Sequence, residues 1–391
     1  MKYLVLITAP NKKIDEYLEQ WQLRLASDIK VLFYPHITVE AIEGANSFAV
    51  IETDQMNKVV NFCDNLLKMA ADVKIVRIFD EKEAAELLTK FKDGKIRADK
   101  EYREADISKI EGLGSTKKLE ILPLIDWHTE DQDLKVEVGV SYLVKTDDTT
   151  ILFDTGLNKD NEASSPLLQN MDKLGICVED IDLIFITHNH GDHVGGGRWS
   201  EEKTFSLSGK QIKLEGKRAY TPIPMTYPGL RPIHSPNPMI LGKGIATTGT
   251  IPNSIFGGFI VEQGLAINVE DKGIVLLVGC GHQTLPRLLE RAFALFDEPF
   301  YGLIGGLHYP VMGGSIELFG YTPHKHFGTG KPPWEQITLD ELSVNIELLK
   351  KLNPKIVSLS RHDSSMRSIQ AFKNAFPDEY RRLTVGETIV I

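Results

Sequence analysis

The 391-residue sequence holds only three cysteines, Cys63, Cys177 and Cys280, far too few for a disulfide scaffold, and their odd number leaves at least one without an intrachain partner. A reducing, cytoplasmic setting is expected from this usage. Long apolar runs are also missing. No stretch offers about 18 uncharged apolar residues, so a membrane-spanning helix is excluded. The opening MKYLVLITAP has a short apolar run without the small-residue cleavage pattern of an export signal, and it reads as a first strand. Basic charge is not in excess. Forty-four Lys and Arg against 54 Asp and Glu give a formal charge of -10, a surface that repels a phosphate backbone and argues against nucleic acid as a partner. A complete dinucleotide fingerprint is absent, and HKHFGTGK lacks the eight-residue Walker pattern, so no nicotinamide cofactor is implied. What remains, 42% apolar residues, is ample for a large buried core and excludes disorder.

Residues 1–100 read as a module of their own. Apolar strand candidates at 2–9, VLFYPHI, SFAVIET and VKIVRIF alternate with helix candidates at 12–27 and MNKVVNFCDNLLKMA, giving the order β-α-β-β-α-β of a ferredoxin-like α+β domain. One face of such a sheet needs a cover, and a homodimer through this domain is one way to supply it. Residues 80–118 are dense in charge and read as a solvated helix, with 101–118 as a charged linker. From Leu119 the texture changes to short apolar strands, among them VEVGVSYLVKT, TTILFDTG, DLIFITH and GIVLLVGC, and then to alternating helices and strands. That order supports a large layered α/β domain over 119–391. Six prolines between Pro222 and Pro238 forbid regular helix and interior strand there and mark a long loop of the kind that covers sites.

The chemistry concentrates in ITHNHGDHVGG, where His188, His190, Asp192 and His193 follow the apolar strand 182–186 directly. Borderline-soft divalent metals take imidazole and carboxylate ligands, and four such groups within six residues cannot comfortably face an apolar core. The end of a strand sends His188 and His190 to one side, and a turn at Gly191 swings Asp192 and His193 toward a neighbouring position, so that two ions can share one loop. Zinc, as one or two ions, is the expected metal, with manganese or iron as alternatives. Three later histidines, His282, His308 and His362, each end an apolar strand candidate, where loops converge on rigid backbone. Cys280 is a metal-ligand candidate as thiolate, or else a small buried hydrophobe. His234 in the Pro-rich loop, His324, Lys325 and His326 in YTPHKHFGTG, and Tyr309 are candidates for contact with a small-molecule substrate.

The histidine loop resembles the metal-binding signature of the metallo-β-lactamase superfamily, and the resemblance spans about residues 119–391. It implies an αββα sandwich. The upstream ILFDTG is similar to the strand and turn that precede this signature, which implies that Asp154 buttresses the histidine loop through hydrogen bonds rather than binding metal. GCGH, GGLHYP and the segment around His362 resemble the branch of dihydropterin or ribofuranosylaminobenzene 5'-phosphate synthases and related hydrolases. Val138 stands where that branch has a histidine, and Asp363, Ser364 and Ser365 stand where it has Cys-Thr-Gly. In many relatives a metal-bridging carboxylate occupies the position of Cys280. The resemblance implies a metal-dependent hydrolase. His188 and His190 with His282 are expected to serve one ion and Asp192 and His193 the other, completed by His362, the favoured candidate, or by His308, with Asp192 and His308 as the candidates for catalytic roles. Phosphoesters or cyclic esters are the expected substrates. A phosphoribosyl condensation like that of the synthases is one alternative, and a non-catalytic, metal-dependent ligand binder or sensor is another.

Overall fold

The computed structural model describes residues 2–9, 30–33, 45–52, 74–79, 81–255, 258–311, 329–331 and 337–391. Strands β1 (Lys2–Ala9), β2 (Lys30–Phe33), β3 (Ala45–Glu52) and β4 (Lys74–Phe79) form one sheet in the order β2-β3-β1-β4. Strand β3 runs antiparallel to both β1 and β2, and β4 runs antiparallel to β1. β1 and β2 are therefore parallel to each other, with β3 between them. The helices expected at 12–27 and 56–70 lie outside the described residues, so of the ferredoxin-like arrangement only the strands are described.

The charge run after β4 forms helix α1 (Glu81–Glu104), and this helix is docked rather than free in solvent. Phe91 and Ala98 are buried, and Arg97 lies over the Phe259 ring at 3.7 Å. At Gly94 an added Cβ would stand 1.9 Å from the Gly258 carbonyl oxygen, so only glycine allows so close an approach. Tyr102 donates to Glu290 at 2.7 Å. The stretch read as a charged linker is likewise fastened to the second domain. Ile110 N–H donates to Leu295 O at 2.9 Å, Leu113 is buried in the core, and Thr116 N–H donates to Asn268 O at 3.0 Å. Charge density reported the solvent side of this segment, while its few apolar residues do the docking.

The remainder is built on two sheets. The first contains β5 (Glu120–Ile125), β6 (Ser141–Lys145), β7 (Thr150–Phe153), β8 (Leu183–Phe185), β9 (Arg218–Thr221), β10 (Ile233–His234) and β17 (Ile389–Val390), in the order β10-β9-β8-β7-β6-β5-β17. The second runs β11 (Met239–Gly242), β12 (Ile245–Ile255), β13 (Gly258–Val269), β14 (Gly273–Val278), β15 (Phe300–Gly305) and β16 (Ile356–Leu359) in chain order. Their inner faces meet in one core, where Tyr142, Phe153 and Phe185 pack with Leu265, Val275, Leu277 and Ile304. Leu276, Val278 and Leu303 point the other way, onto helices α5 (Leu285–Leu295), α6 (Leu339–Lys350) and α7 (Met366–Ala375). On the outer face of the first sheet, Leu143, Leu152 and Ile184 pack with Leu167 and Met171 of α2 (Pro166–Lys173). Because both faces of β14 are covered, all six of its residues are buried, which is why it reads as a continuous apolar run. The result is a four-layered αββα sandwich. Two very short helices, α3 (Gly191–Val194) and α4 (Gly197–Glu201), follow β8. Among the described residues, no helix is long and apolar enough to cross a membrane.

Strands β7, β8 and β9 are mutually parallel in one sheet, as are β14, β15 and β16 in the other. Their C-terminal ends carry Asp154, Thr187, Cys280, Gly306 and Ser360. Open α/β sheets place ligands beyond the carboxyl ends of their strands, and here both sheets converge on one such edge.

Candidate metal centre

Three imidazoles meet first. His188 Nε2 and His282 Nε2 each lie 3.2 Å from His190 Nδ1. Metal–nitrogen bonds of about 2.0–2.1 Å in a tetrahedron set ligand atoms about 3.3 Å apart, so these three nitrogens have the spacing of one zinc-like site. A second group contains Asp192, His193, Cys280 and His362, with donor atoms all within 4.8 Å of one another. Cys280 Sγ lies 3.0 Å from His193 Nε2 and 3.1 Å from His362 Nε2, and Asp192 Oδ2 lies 3.5 Å from His193 Nε2. The same sulfur also groups with His188 and His282, and with His308 and Asp363. Cys280 is thus common to both clusters, with its thiol raised by burial well above the ordinary value.

Hydrogen bonds on the far side of three of the rings fix which nitrogen faces inward. The Asp154 carboxylate accepts from Thr187 N–H at 2.8 Å, from the Thr187 hydroxyl at 2.7 Å and from His193 Nδ1 at 2.7 Å. With its one proton given to Asp154, the Thr187 hydroxyl accepts from His188 Nδ1 at 3.0 Å. The Ser360 hydroxyl donates to Asp126 Oδ2 at 2.7 Å and accepts from His362 Nδ1 at 2.7 Å. Tyr142 donates to the same Asp126 oxygen at 2.6 Å. Nε2 of His188, His193 and His362 therefore faces the donor cluster, the nitrogen a metal ligand would use. Burial disfavours a charge on His193, but the Asp192 and Asp154 carboxylates beside it lift its pKa above the ordinary value. Burial would raise Asp192, and the neighbouring His193 instead lowers it. Burial, aided by His193, pushes His188 well below the ordinary value.

The turn bearing Cys280 and His282 has its own anchor. Glu262 on β13 is fully buried, and its Oε1 accepts from the backbone N–H of Cys280 and of Gly281, each at 3.0 Å, while Oε2 accepts from His282 N–H at 2.7 Å. Burial pushes this carboxyl up to about 7 against the pull of those donors. At Gly279 an added Cβ would stand 2.3 Å from Thr187 Oγ1, so the two sheets close here only over glycine.

His308 follows β15 with a left-handed φ of 51°. Its N–H donates to Asp363 Oδ2 at 2.9 Å, and its ring centre lies 4.7 Å from that of His282. It lines a cavity of ≈ 400 Å³ together with Thr284, Leu285, Lys331 and Val344. A second cavity, of ≈ 540 Å³, is lined by Trp127, Lys135, Glu137 and Asn158. It adjoins the segment in which Val140 N–H donates to Asp192 O at 3.1 Å.

The sequence-derived residues His188, His190, Asp192, His193, Cys280, His282, His308 and His362 are therefore brought together, with Asp154 behind them. The candidate substrate contacts are placed as follows. His234 is exposed on edge strand β10 with Nε2 3.2 Å from Pro222 O, outside the cluster. Tyr309 is 2% exposed and packs on Phe372, yet it also lines the ≈ 400 Å³ cavity beside His308. His324, Lys325 and His326 lie outside the described residues. Sequence reasoning missed Asp126, Thr187, Glu262, Ser360 and Asp363. For Thr187 and Ser360 the signal was available, a hydroxyl one or two positions before a histidine at a strand end.

Residues 134–206 match the family model described as the metallo-beta-lactamase superfamily. A 7,8-dihydropterin-6-methyl-4-(beta-D-ribofuranosyl)-aminobenzene-5'-phosphate synthase from Methanocaldococcus jannaschii is 24% identical over 301 residues, which is 64% of this chain and 89% of that protein. Among solved structures, the chain is similar to Tm1679, a metal-dependent hydrolase of the beta-lactamase superfamily. The identity is 20%, the TM-score 0.48, and the match covers 69% of this chain and 98% of that one. It is also similar to the metallo-beta-lactamase fold protein YhfI from Bacillus subtilis, at 12% identity and a TM-score of 0.40, covering 70% and 100%.

Proposed function

We propose that this chain, which carries a metallo-β-lactamase superfamily domain, is a metal-dependent hydrolase of small-molecule phosphoesters or cyclic esters. The observation that carries this reading is the pair of donor clusters joined at Cys280, with the outward nitrogens of His188, His193 and His362 tied so that their Nε2 atoms face the cluster. His188, His190 and His282 would hold one divalent ion, and Asp192, His193 and His362 the other, with the Cys280 thiolate between them. The nitrogen, sulfur and oxygen donor set suits zinc. When bound, such ions supply Lewis acidity toward a substrate oxygen and bring the pKa of water toward neutrality.

The chain's own groups do the rest. Asp154 and Asp126, through Thr187 and Ser360, hold the histidines in one tautomer and one orientation. Asp192, lowered by its neighbour His193, stays ionised and presents an acceptor that orients the attacking water. His308, at the wall of the ≈ 400 Å³ cavity, contacts the leaving group and donates the proton it needs. The test is turnover of a panel of phosphomonoesters, phosphodiesters and lactones by the full chain reconstituted with zinc, manganese or iron. Activity that vanishes on chelation and returns with metal is expected; reconstituted protein that cleaves none of the panel would overturn the reading. The synthase relative supports a second reading, a phosphoribosyl condensation, and release of diphosphate from a phosphoribosyl donor would identify it.

A further inference from the structure

We infer that Glu262 and Gln263, adjacent on β13, form a brace that sets the distance between the two ligand-bearing loops, one from each sheet. The two side chains act through other groups and touch no metal donor atom themselves. The register of β13 on β14 pairs Leu265 with Leu277, and three more residues of the same register would set Glu262 opposite Cys280. The backbone of β14 ends at Val278, and the chain turns away through Gly279 and Gly281. The donors left by that departure, Cys280, Gly281 and His282 N–H, are taken up by the Glu262 carboxylate in place of a strand.

Gln263 reaches the opposite sheet. Its backbone N–H donates to Thr187 O at 3.0 Å, and its side-chain Nε2 donates to Ile186 O at 2.8 Å. Its Oε1 accepts from Ser235 at 2.8 Å and from Thr247 at 2.7 Å, which fixes the amide's orientation. Ile186 and Thr187 lead directly into His188. A single dipeptide therefore grips the loop of His188, His190, Asp192 and His193 with one residue and the turn of Cys280 and His282 with the other.

This role rests on the metal-site reading for its consequence but not for its geometry, so the test has two arms. In metal-free full-length protein, amide exchange at Cys280, Gly281 and His282 should be protected. In Glu262→Gln, whose one acceptor oxygen cannot serve all three donors, the loss of protection should be confined to that turn. The second arm titrates zinc in competition with a chromophoric chelator. Here both equivalents should weaken, because Cys280 belongs to both donor groups, but the one that needs His282 should weaken more, by about 10–100-fold. Should Glu262→Gln not fold, Glu262→Asp, which keeps the charge and shortens the reach, carries the same two arms. Wild-type exchange rates at the three amides, or equal weakening of both zinc equivalents, would overturn the brace. Protected amides in a wild-type chain that takes up no zinc would support the brace and sink the hydrolase reading instead.

Discussion

Replacing Asp154 by Asn removes charge from the centre of the histidine support while keeping its shape. Asp154 is buried at the end of β7 with φ 56°, a conformation Asn tolerates nearly as well as Asp. The native carboxylate serves three donors: Thr187 N–H on one oxygen, and Thr187 Oγ1 with His193 Nδ1 on the other. In its better orientation the amide keeps its oxygen toward the latter two and turns its NH2 against Thr187 N–H. A buried donor then faces a donor, at a cost of about 1–3 kcal/mol, and the bond to His193 changes from charge-assisted to neutral. The expected result is a folded protein, less stable by about 1–3 kcal/mol in urea, with zinc affinity reduced about 10–100-fold. That fold-change corresponds to about 1.4–2.8 kcal/mol, and it should fall mainly on the equivalent that uses His193. Competition titration with a chelator reads the affinity directly. A stability loss of this size with zinc affinity within threefold of wild type would refute the argument and leave Asp154 as a structural turn residue only.

Three further outcomes follow from named contacts. His362→Ala should bind about one zinc equivalent fewer than wild type, whereas His308→Ala should keep its metals and lose rate; metal analysis showing the reverse would exchange the two roles. Cys280→Ser should weaken both equivalents, because one sulfur belongs to both donor groups, and a change confined to one would remove Cys280 from between the clusters. Gly94→Ala places a Cβ where the Gly258 carbonyl now lies, so it should lower stability by about 1–3 kcal/mol in a urea melt without altering zinc stoichiometry.

The histidines were legible because their signal is local. His188, His190, Asp192 and His193 fall within six residues, and His282, His308 and His362 each end a strand whose two covered faces make it uniformly apolar. The layered sandwich was legible for the same reason, since periodic and continuous apolar runs report burial directly. Glu262 was not. A carboxylate in VEQG reads as the solvent side of an alternating strand, and it is buried only because β14 turns away and leaves three N–H groups for it. Ser360 and Asp126 stand 234 residues apart in the chain and acquire their role only when the sheets close. The docking of α1 escaped notice because it depends on Phe91, Ala98 and a missing Cβ at Gly94, too few apolar residues to stand out in so charged a stretch.

The thiol at position 280 has a physical rationale in what surrounds it. Asp126, Asp154, Glu262 and Asp363 are buried around the donor clusters, and burial pushes each of their pKa values upward, Asp363 well above the ordinary range and Glu262 to about 7. A carboxylate at 280 would add another charge of the same sign beside Asp192, and like charges this close raise one another further. A thiol avoids that cost because it is neutral in the metal-free chain, where burial keeps its pKa high. It becomes an anion only when a cation is present to balance it. Its sulfur lies 3.0 Å from His193 Nε2 and 3.1 Å from His362 Nε2 and also groups with His188 and His282, so one atom faces both donor clusters. The turn that presents this sulfur is the one Glu262 holds, so the negative charge removed from the ligand position is kept one layer back, where it orders backbone donors instead of crowding the metals.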